Sequence, residues 1–190
     1  MEIEDYNKSA WIFGYGSIIW KTSFPFSEKC YGYIKGYSRR FWQGSHDHRG
    51  TKDNPGRVVT LISSKDEITW GVAYRINERD WDSVINNLNS RENDGYSSIL
   101  STFYTNQHSD DFSFNVWIYV AHPENQSFLG YAPLDLIAQQ IVESKGPSGS
   151  NVEYLLKLAE SLREIGPWAL DFHTLQLENT VKDKLKDLIK

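Results

Sequence analysis

The sequence of 190 residues has a single cysteine, Cys30. One thiol cannot form an internal disulfide, and it cannot complete a zinc site built from cysteines. Basic residues are also in deficit, because 20 Lys and Arg stand against 25 Asp and Glu, for a formal net charge of −5 at pH 7. Proteins that bind nucleic acids usually carry a basic excess, so we expect no nucleic-acid partner.

Long apolar runs are missing as well. No segment approaches the ~18 consecutive apolar residues of a membrane span, so we expect no membrane partner. The first five residues, Met1 to Asp5, are largely acidic and lack the apolar stretch of a secretory signal. These features favour a cytoplasmic protein, and they leave the oligomeric state open.

Aromatic residues, by contrast, are abundant and make up 14% of the chain. This content argues against disorder, and the length fits one compact domain. We assign residues 1–10 to a polar N-terminal arm and residues 11–190 to a single domain.

Strand-like segments occupy most of the first two thirds of the chain. They are rich in β-branched and aromatic residues and are bounded by turn-forming residues, as is typical of strands. These segments are 11–13, 31–41, 58–62, 68–76, 98–104 and 112–120.

Helical periodicity appears between and after these strands. Apolar residues recur at helical spacing in 77–88, in 134–142, after Ser150 and again from Leu177 to Leu188. Ser150 and Glu153 have the spacing of a capping box, which marks a helix start. Strands early in the chain and helices late predict an α+β fold, in which a small mixed β-barrel has helices packed against it.

The first candidate site is Gly14-Tyr15-Gly16-Ser17, directly after the first strand. Glycines at a bend permit positive φ and close approach of a ligand, and consecutive amides can hold a carboxylate or an oxyanion. Ile19 stands where a dinucleotide-binding fingerprint or a nucleophile elbow needs glycine, so both of those motifs are excluded. The alternative is a glycine turn that only closes the barrel.

The second candidate is Glu92. The apolar helix face that runs from Trp81 to Leu88 reaches Glu92 at its next step of four residues. A carboxylate on an apolar face is costly to bury, and burial raises the pKa of a carboxyl towards the range of a general base. Alternatively, Glu92 points outward or pairs with an arginine such as Arg91.

Three further patterns favour structural roles. His46-Asp47-His48 has the period-two spacing of metal ligands, but a third clustered ligand is missing and the surroundings indicate an exposed loop. The segment Arg39–Trp42 could stack a nucleobase, yet arginines packed over rings or paired with carboxylates fit a strand better. Cys30 has no neighbouring base that would make it a nucleophile.

Six blocks of the chain, in order, resemble the ChaC family of glutathione-specific γ-glutamylcyclotransferases, in particular its shorter members. Together they extend over nearly the whole chain, and their order is far more specific than any one block. The blocks are Ile12–Ser17, Tyr37–Ser45, Pro55–Leu61, Trp70–Arg75, Arg91–Tyr96 and Gly146–Gly149.

The resemblance implies a lyase of glutathione catabolism that converts glutathione to 5-oxoproline and Cys-Gly, and that needs no metal or organic cofactor. It implies Glu92 as the catalytic residue. Tyr15 and Tyr154 are further candidates for the pocket, to which they could contribute rings or hydroxyls. The resemblance also implies a loop that binds the γ-glutamyl group, formed by Ile12, Phe13, Gly14, Tyr15, Gly16 and Ser17. Ile18 replaces the leucine that usually follows this loop, which keeps an apolar residue there.

Three alternatives remain at this stage. The substrate could be another γ-glutamyl peptide, a γ-glutamyl amino acid or a γ-glutamylamine. The chain could also be a non-catalytic binding protein, because one fold can carry unrelated functions. The third and most distant alternative is a metal-dependent hydrolase, which a chelator would inhibit.

Overall fold

The computed structural model describes residues 9–91, 96–105 and 112–188. Within these ranges, five strands form a closed barrel in the order β1-β3-β2-β4-β5. The strands are β1 (Ser9–Gly14), β2 (Glu28–Ser45), β3 (Gly56–Asn77), β4 (Tyr96–Thr105) and β5 (Ser113–Ala121). Neighbours pair antiparallel, except that β1 and β5 close the barrel in parallel, with Ile12 opposite Trp117. The predicted mixed barrel is thus confirmed, and β1 begins two residues before the predicted strand, inside the range assigned to the arm.

The segments 58–62 and 68–76 were predicted as two strands, and this was wrong. Both belong to β3, which pairs with β2 along most of its length. Ser63 lies opposite Tyr37 and Ile68 opposite Lys35, so the polar residues 64–67 bulge out opposite the single residue Gly36. Gly36 has a φ of +84°, a conformation that glycine adopts readily. The polar insert resembles a turn in sequence, but the continuous partner strand keeps its two flanks in one strand.

Four helices pack around the barrel in the described part of the chain: α1 (Glu78–Arg91), α2 (Leu134–Glu143), α3 (Asn151–Ile165) and α4 (Phe172–Asp187). All four overlap with the predicted helical segments, and α4 begins five residues before the first apolar residue that predicted it, Leu177. None of these helices is long and apolar enough to cross a membrane. A short hairpin of β6 (Lys145–Gly146) and β7 (Gly149–Ser150) precedes α3.

The apolar faces of α3 and α4 join the barrel core, with Leu158 and Leu177 both fully buried. Ser150 caps α3 by accepting a hydrogen bond from the Glu153 amide at 3.1 Å, as the capping-box spacing predicted. The Glu153 carboxylate, however, pairs with Arg49 at 3.2 Å. Asp171 caps α4 through the Thr174 amide at 2.8 Å.

The imidazole of His173 joins α4 to β2, because its Nε2 accepts a hydrogen bond from the Phe41 amide at 3.2 Å. Burial and the charge of Arg40 lower the pKa of His173 from 6.5 to about 4, with Asp171 acting in the opposite direction and Arg57 adding to the decrease. The folded protein therefore holds this imidazole neutral at a pH where the unfolded chain protonates it.

We expect the free energy of unfolding to fall as the pH decreases from about 6.5 to 4, because the unfolded chain then binds a proton that folded His173 excludes. This contribution, about 1–3 kcal/mol, is fully present above pH 6.5 and is lost towards pH 4. His173→Asn offers an acceptor to Phe41 but does not titrate, so it should lose less stability on acidification. Urea unfolding of both proteins at about pH 7 and about pH 5 measures the difference, and equal losses would contradict the assignment.

Candidate functional site

A cavity of about 320 Å³ opens between the end of β1, the β2–β3 region and the start of α3. Its volume suits a small-molecule ligand. Much of its lining is aromatic, with Phe13, Tyr15, Trp20, Tyr96, Tyr119 and Tyr154. Other lining residues are polar or charged, with Lys21, Ser23, Ser45, Asp47, His48, Arg49 and Ser148.

The glycine loop contributes one edge of this cavity. Of the six residues predicted to bind a γ-glutamyl group, the structure places Phe13, Tyr15, Gly16 and Ser17 in the wall. The other two are not among the residues of the wall: Ile12 is fully buried in the barrel core, and Gly14 is the last residue of β1.

The expectation of positive φ at these glycines was wrong. Gly16 has a φ of −124°, and Gly14 is not among the glycines with positive φ. The chain passes from β1 into a single 3₁₀ turn, Ser17–Ile19, rather than into a tight reverse bend. The limited space at this position, rather than its φ, favours glycine, because a Cβ on Gly16 would lie 3.0 Å from Val59 Cγ2 and 3.2 Å from Tyr154 Oη.

Tyr15 is fixed at both ends. Its hydroxyl donates to the carbonyl of Tyr119, on the adjacent strand β5, at 2.6 Å, and its own carbonyl accepts from Arg39 Nε at 2.9 Å. The Arg39 side chain is only 1% exposed, pairs with Asp171 at 2.7 Å and also donates to the Trp70 carbonyl. A buried guanidinium thus ties the glycine loop to β3 and to the residue that caps α4. Arg39 therefore has a structural role, as the sequence predicted for an arginine that lies in a strand and pairs with a carboxylate.

We expect Arg39→Met to lower the free energy of unfolding by about 2–4 kcal/mol, because it removes the cation paired with Asp171 and the side-chain donor to two buried carbonyls. The neighbouring Arg40 is a matched control. It is partly exposed and pairs with Glu67 at 3.2 Å, so Arg40→Met should cost about 1 kcal/mol or less. Urea denaturation of both variants makes the comparison, and similar losses would show that Arg39 is no more important than its neighbour.

Two tyrosines of the cavity lining form hydrogen bonds to the backbone of β3. Tyr154 Oη accepts from the Val59 amide at 3.4 Å, and Tyr96 Oη donates to the Val59 carbonyl at 3.1 Å. The Tyr154 ring also packs edge-on against Trp20, with centroids 5.5 Å apart. Tyr154 was a candidate from the sequence, whereas Tyr96, Trp20 and Tyr119 were not proposed. Tyr96 stands in one of the ChaC-like blocks, which could have pointed to it.

Glu92 lies outside the described residues. The preceding helix α1 ends at Arg91, and β4 begins at Tyr96, a residue of the cavity wall. On α1 itself, Val84 and Leu88 are buried, so the predicted apolar face is confirmed up to that point.

The other sequence candidates occupy distinct places. His48 reaches the cavity wall, where its Nδ1 lies 3.4 Å from Ser148 Oγ. Among the described residues, no group of three or more His, Cys, Asp or Glu side chains could hold a metal ion. Burial, and then the charge of Glu28, raise the pKa of Cys30 to about 11, so its thiol stays protonated and unreactive at neutral pH.

The closed barrel with its packed helices is a fold that solved structures share. A yeast γ-glutamyl cyclotransferase specific to glutathione superposes with a TM-score of 0.87 at 30% identity, covering 93% of this chain and 97% of that chain. The family model for ChaC-like protein matches residues 10–184, so the chain belongs to the ChaC family.

Curated relatives agree with this assignment. Mouse glutathione-specific γ-glutamylcyclotransferase 1 is 45% identical over 168 residues, which is 87% of this chain and 75% of the relative. Arabidopsis γ-glutamylcyclotransferase 2-3 is also 45% identical, over 93% of this chain and 90% of the relative. The fission yeast glutathione-specific γ-glutamylcyclotransferase is 35% identical over 94% and 95% of the two chains.

Proposed function

We propose that this protein is a glutathione-specific γ-glutamylcyclotransferase, a lyase that converts glutathione to 5-oxoproline and Cys-Gly. One observation carries the proposal: Phe13, Tyr15, Gly16 and Ser17 line the cavity, in a chain whose relatives, matched over 87% and 94% of its length, bear that activity in their names. The proposal places the reaction in the cytoplasm, and a single unpaired cysteine suits a reducing compartment.

The reaction is intramolecular. The α-amine of the γ-glutamyl group attacks its own γ-carbonyl carbon, a C–N bond forms in a five-membered lactam, and the amide bond to cysteine breaks. Water is not consumed, and the leaving group is the amine of Cys-Gly. Because the substrate supplies both nucleophile and electrophile, the protein needs no nucleophilic side chain, and the chemistry itself requires no metal.

The protein's main contribution is then to hold the substrate folded for attack. Orientation of two reacting groups can contribute several kcal/mol, on the order of 7 or more in well-aligned systems. The rigid loop suits this role, because Tyr15 is fixed at its hydroxyl and its carbonyl and Gly16 leaves room against Val59. In the proposal, this loop binds the γ-glutamyl group, and the aromatic wall excludes water from it.

Glu92 is the proposed acid–base catalyst. An α-amine with a pKa near 8 is mostly protonated at neutral pH and cannot attack, so a carboxylate must first remove a proton. The same carboxyl then delivers a proton to the departing Cys-Gly amine. Glu92 precedes Tyr96 by four residues, and Tyr96 lines the cavity, which supports this role.

The test is a substrate comparison. Purified protein treated with EDTA is incubated with reduced glutathione, with γ-glutamyl amino acids and with a γ-glutamylamine, and 5-oxoproline and the released amine are quantified. The proposal predicts equimolar 5-oxoproline and Cys-Gly from glutathione and much slower reaction of the others. Preference for another γ-glutamyl compound would change the substrate, and binding of glutathione without product would contradict the enzymatic role.

A further inference from the structure

We propose that Asn151 is a positioning residue for the cyclisation, because it holds the start of α3 against β3 and so sets the place of Tyr154 in the cavity wall. This inference rests on the proposed function. Asn151 is the first residue of α3 and is fully buried, and it is not among the residues of the wall. Any effect of Asn151 on the reaction must therefore pass through a neighbouring side chain.

Beside the cavity, one edge of β3 is open in the part of the chain that the structure describes. Among those residues, β1 pairs with residues 72–77 of β3, and residues 56–63 pair with β2 alone. Successive residues of a strand direct their backbone groups to alternate edges, so Arg57 and Val59 share the edge away from β2. Their buried N–H and C=O groups need partners there, and side chains supply them in place of a strand.

The side-chain amide of Asn151 pairs with both backbone groups of Arg57, as a neighbouring strand would. Its Oδ1 accepts from the Arg57 N–H at 2.6 Å, and its Nδ2 donates to the Arg57 carbonyl at 2.8 Å. The backbone N–H of Asn151 donates to the Ser144 carbonyl at 3.0 Å. Arg57 is itself fixed, because its guanidinium donates to Gln140 Oε1 at 2.6 Å and to the Phe41 carbonyl at 3.0 Å. The first turn of α3 is therefore attached to an immobile part of β3.

Tyr154 makes the next contact of α3 along the same edge. It follows Asn151 by three residues, so the two side chains lie on the same face of the helix. Its Oη accepts from the Val59 N–H at 3.4 Å, a longer bond than either of the two that Asn151 forms with Arg57. Because the Asn151 bonds are shorter and twofold, we assign the register of α3 on β3 to Asn151, and Tyr154 takes its position from it.

The position of Tyr154 matters because its hydroxyl lies beside the glycine loop. A Cβ on Gly16 would lie 3.2 Å from Tyr154 Oη, and the Tyr154 ring packs edge-on against Trp20. In the proposed reaction this loop holds the γ-glutamyl group folded for attack. A misplacement of about 1 Å can lower the rate of such a reaction about 100-fold. A shift of Tyr154 should therefore lower kcat more than it weakens substrate binding.

The experiment is a double-mutant cycle of Asn151→Ala and Tyr154→Phe, in which 5-oxoproline formation from glutathione is measured. We expect each single variant to lower kcat about 10- to 100-fold, with KM within about threefold of the wild-type value. If Asn151 acts through Tyr154, the two losses overlap. The double variant should then have a kcat within about twofold of the more impaired single variant.

Glu178→Gln is the matched control for a loss of stability away from the cavity. Glu178 is buried on α4 and pairs with Arg163, near the opposite end of α3. The variant should lower the free energy of unfolding, as urea denaturation measures it, and keep kcat and KM within about twofold of wild type. Loss of kcat in Glu178→Gln equal to that in Asn151→Ala would show that destabilisation alone explains the effect, and it would overturn the inference.

Two results of the cycle would also overturn the inference. Losses that multiply in the double variant would show that Asn151 and Tyr154 act independently, and a wild-type kcat in either single variant would show that the contact does not matter. Failure of the wild type to form 5-oxoproline from glutathione would instead refute the proposed function, so the two failures are distinguishable.

Asn151→Asp keeps the test valid if Asn151→Ala does not fold. A protonated carboxyl has the shape of the amide and offers both an acceptor and a donor to Arg57, whereas the carboxylate has no donor for the Arg57 carbonyl. Burial favours the protonated form, so kcat relative to wild type should rise as the pH falls from about 8 to about 6. A ratio that stays constant over this range would contradict the role of Asn151.

Discussion

Glu92→Gln is expected to preserve the fold and substrate binding while lowering kcat about 10²- to 10⁴-fold. Glutamine keeps the size of the side chain and a hydrogen-bonding group, but it cannot accept the proton of the α-amine. The substrate amine then stays mostly protonated, and the lactam forms slowly. Initial rates of 5-oxoproline formation, with glutathione binding followed by calorimetry, separate the loss of catalysis from a loss of binding.

Asp94→Asn is the matched control, because it removes a carboxylate two residues away in the same chain segment. This variant should retain nearly full activity. A second check is the pH profile: the acidic limb of kcat, which reports the general base in the wild type, should move in Glu92→Gln to the pKa of the substrate amine, near 8. Near-normal turnover in Glu92→Gln would remove Glu92 from the mechanism.

Gly16→Val is expected to raise KM for glutathione about 10- to 100-fold. The first carbon of the new side chain would lie 3.0 Å from Val59 Cγ2 and 3.2 Å from Tyr154 Oη, and its methyl groups need further space. Overpacking of this kind costs about 1–3 kcal/mol, and here it displaces the loop and the tyrosine that line the cavity. Gly16→Ala should have a smaller effect in the same direction.

Gly36→Ala controls for stability loss without a change at the cavity. Gly36 has a φ of +84°, and a Cβ added there would meet no atom within 4 Å, so alanine strains the backbone but crowds nothing. It should lower the melting temperature and leave KM unchanged. If Gly16→Val binds glutathione as tightly as the wild type does, the loop is not part of the binding site.

Local patterns in the sequence predicted much of this fold. The helices follow from apolar periodicity, and Ser150 caps α3 where the capping signal stands. The division of β3 into two strands failed because residues 64–67 are locally turn-like, and only the long-range pairing with β2 makes them a bulge. Pairing across distant segments is not encoded in any short window of sequence.

The candidate site shows the same difference between local patterns, which the sequence reveals, and long-range contacts, which it does not. The glycine loop was predicted as a ligand site, and Gly16 was explained by positive φ and close approach of a ligand. In the structure its φ is negative, and a Cβ there would crowd Val59 and Tyr154. The burial of Arg39 against Asp171 joins residues that are 132 positions apart, so no spacing rule could reveal it. The link from Tyr15 to the Tyr119 carbonyl spans 104 positions and was missed for the same reason.

The most direct test of the account follows the reaction in water enriched in ¹⁸O. Intramolecular cyclisation consumes no water, so the account predicts 5-oxoproline and Cys-Gly in equal amounts, both without ¹⁸O in their mass spectra. Hydrolysis of the same bond would instead release glutamate that carries one ¹⁸O atom. Labelled glutamate as the initial product would contradict the central claim that this protein is a cyclotransferase.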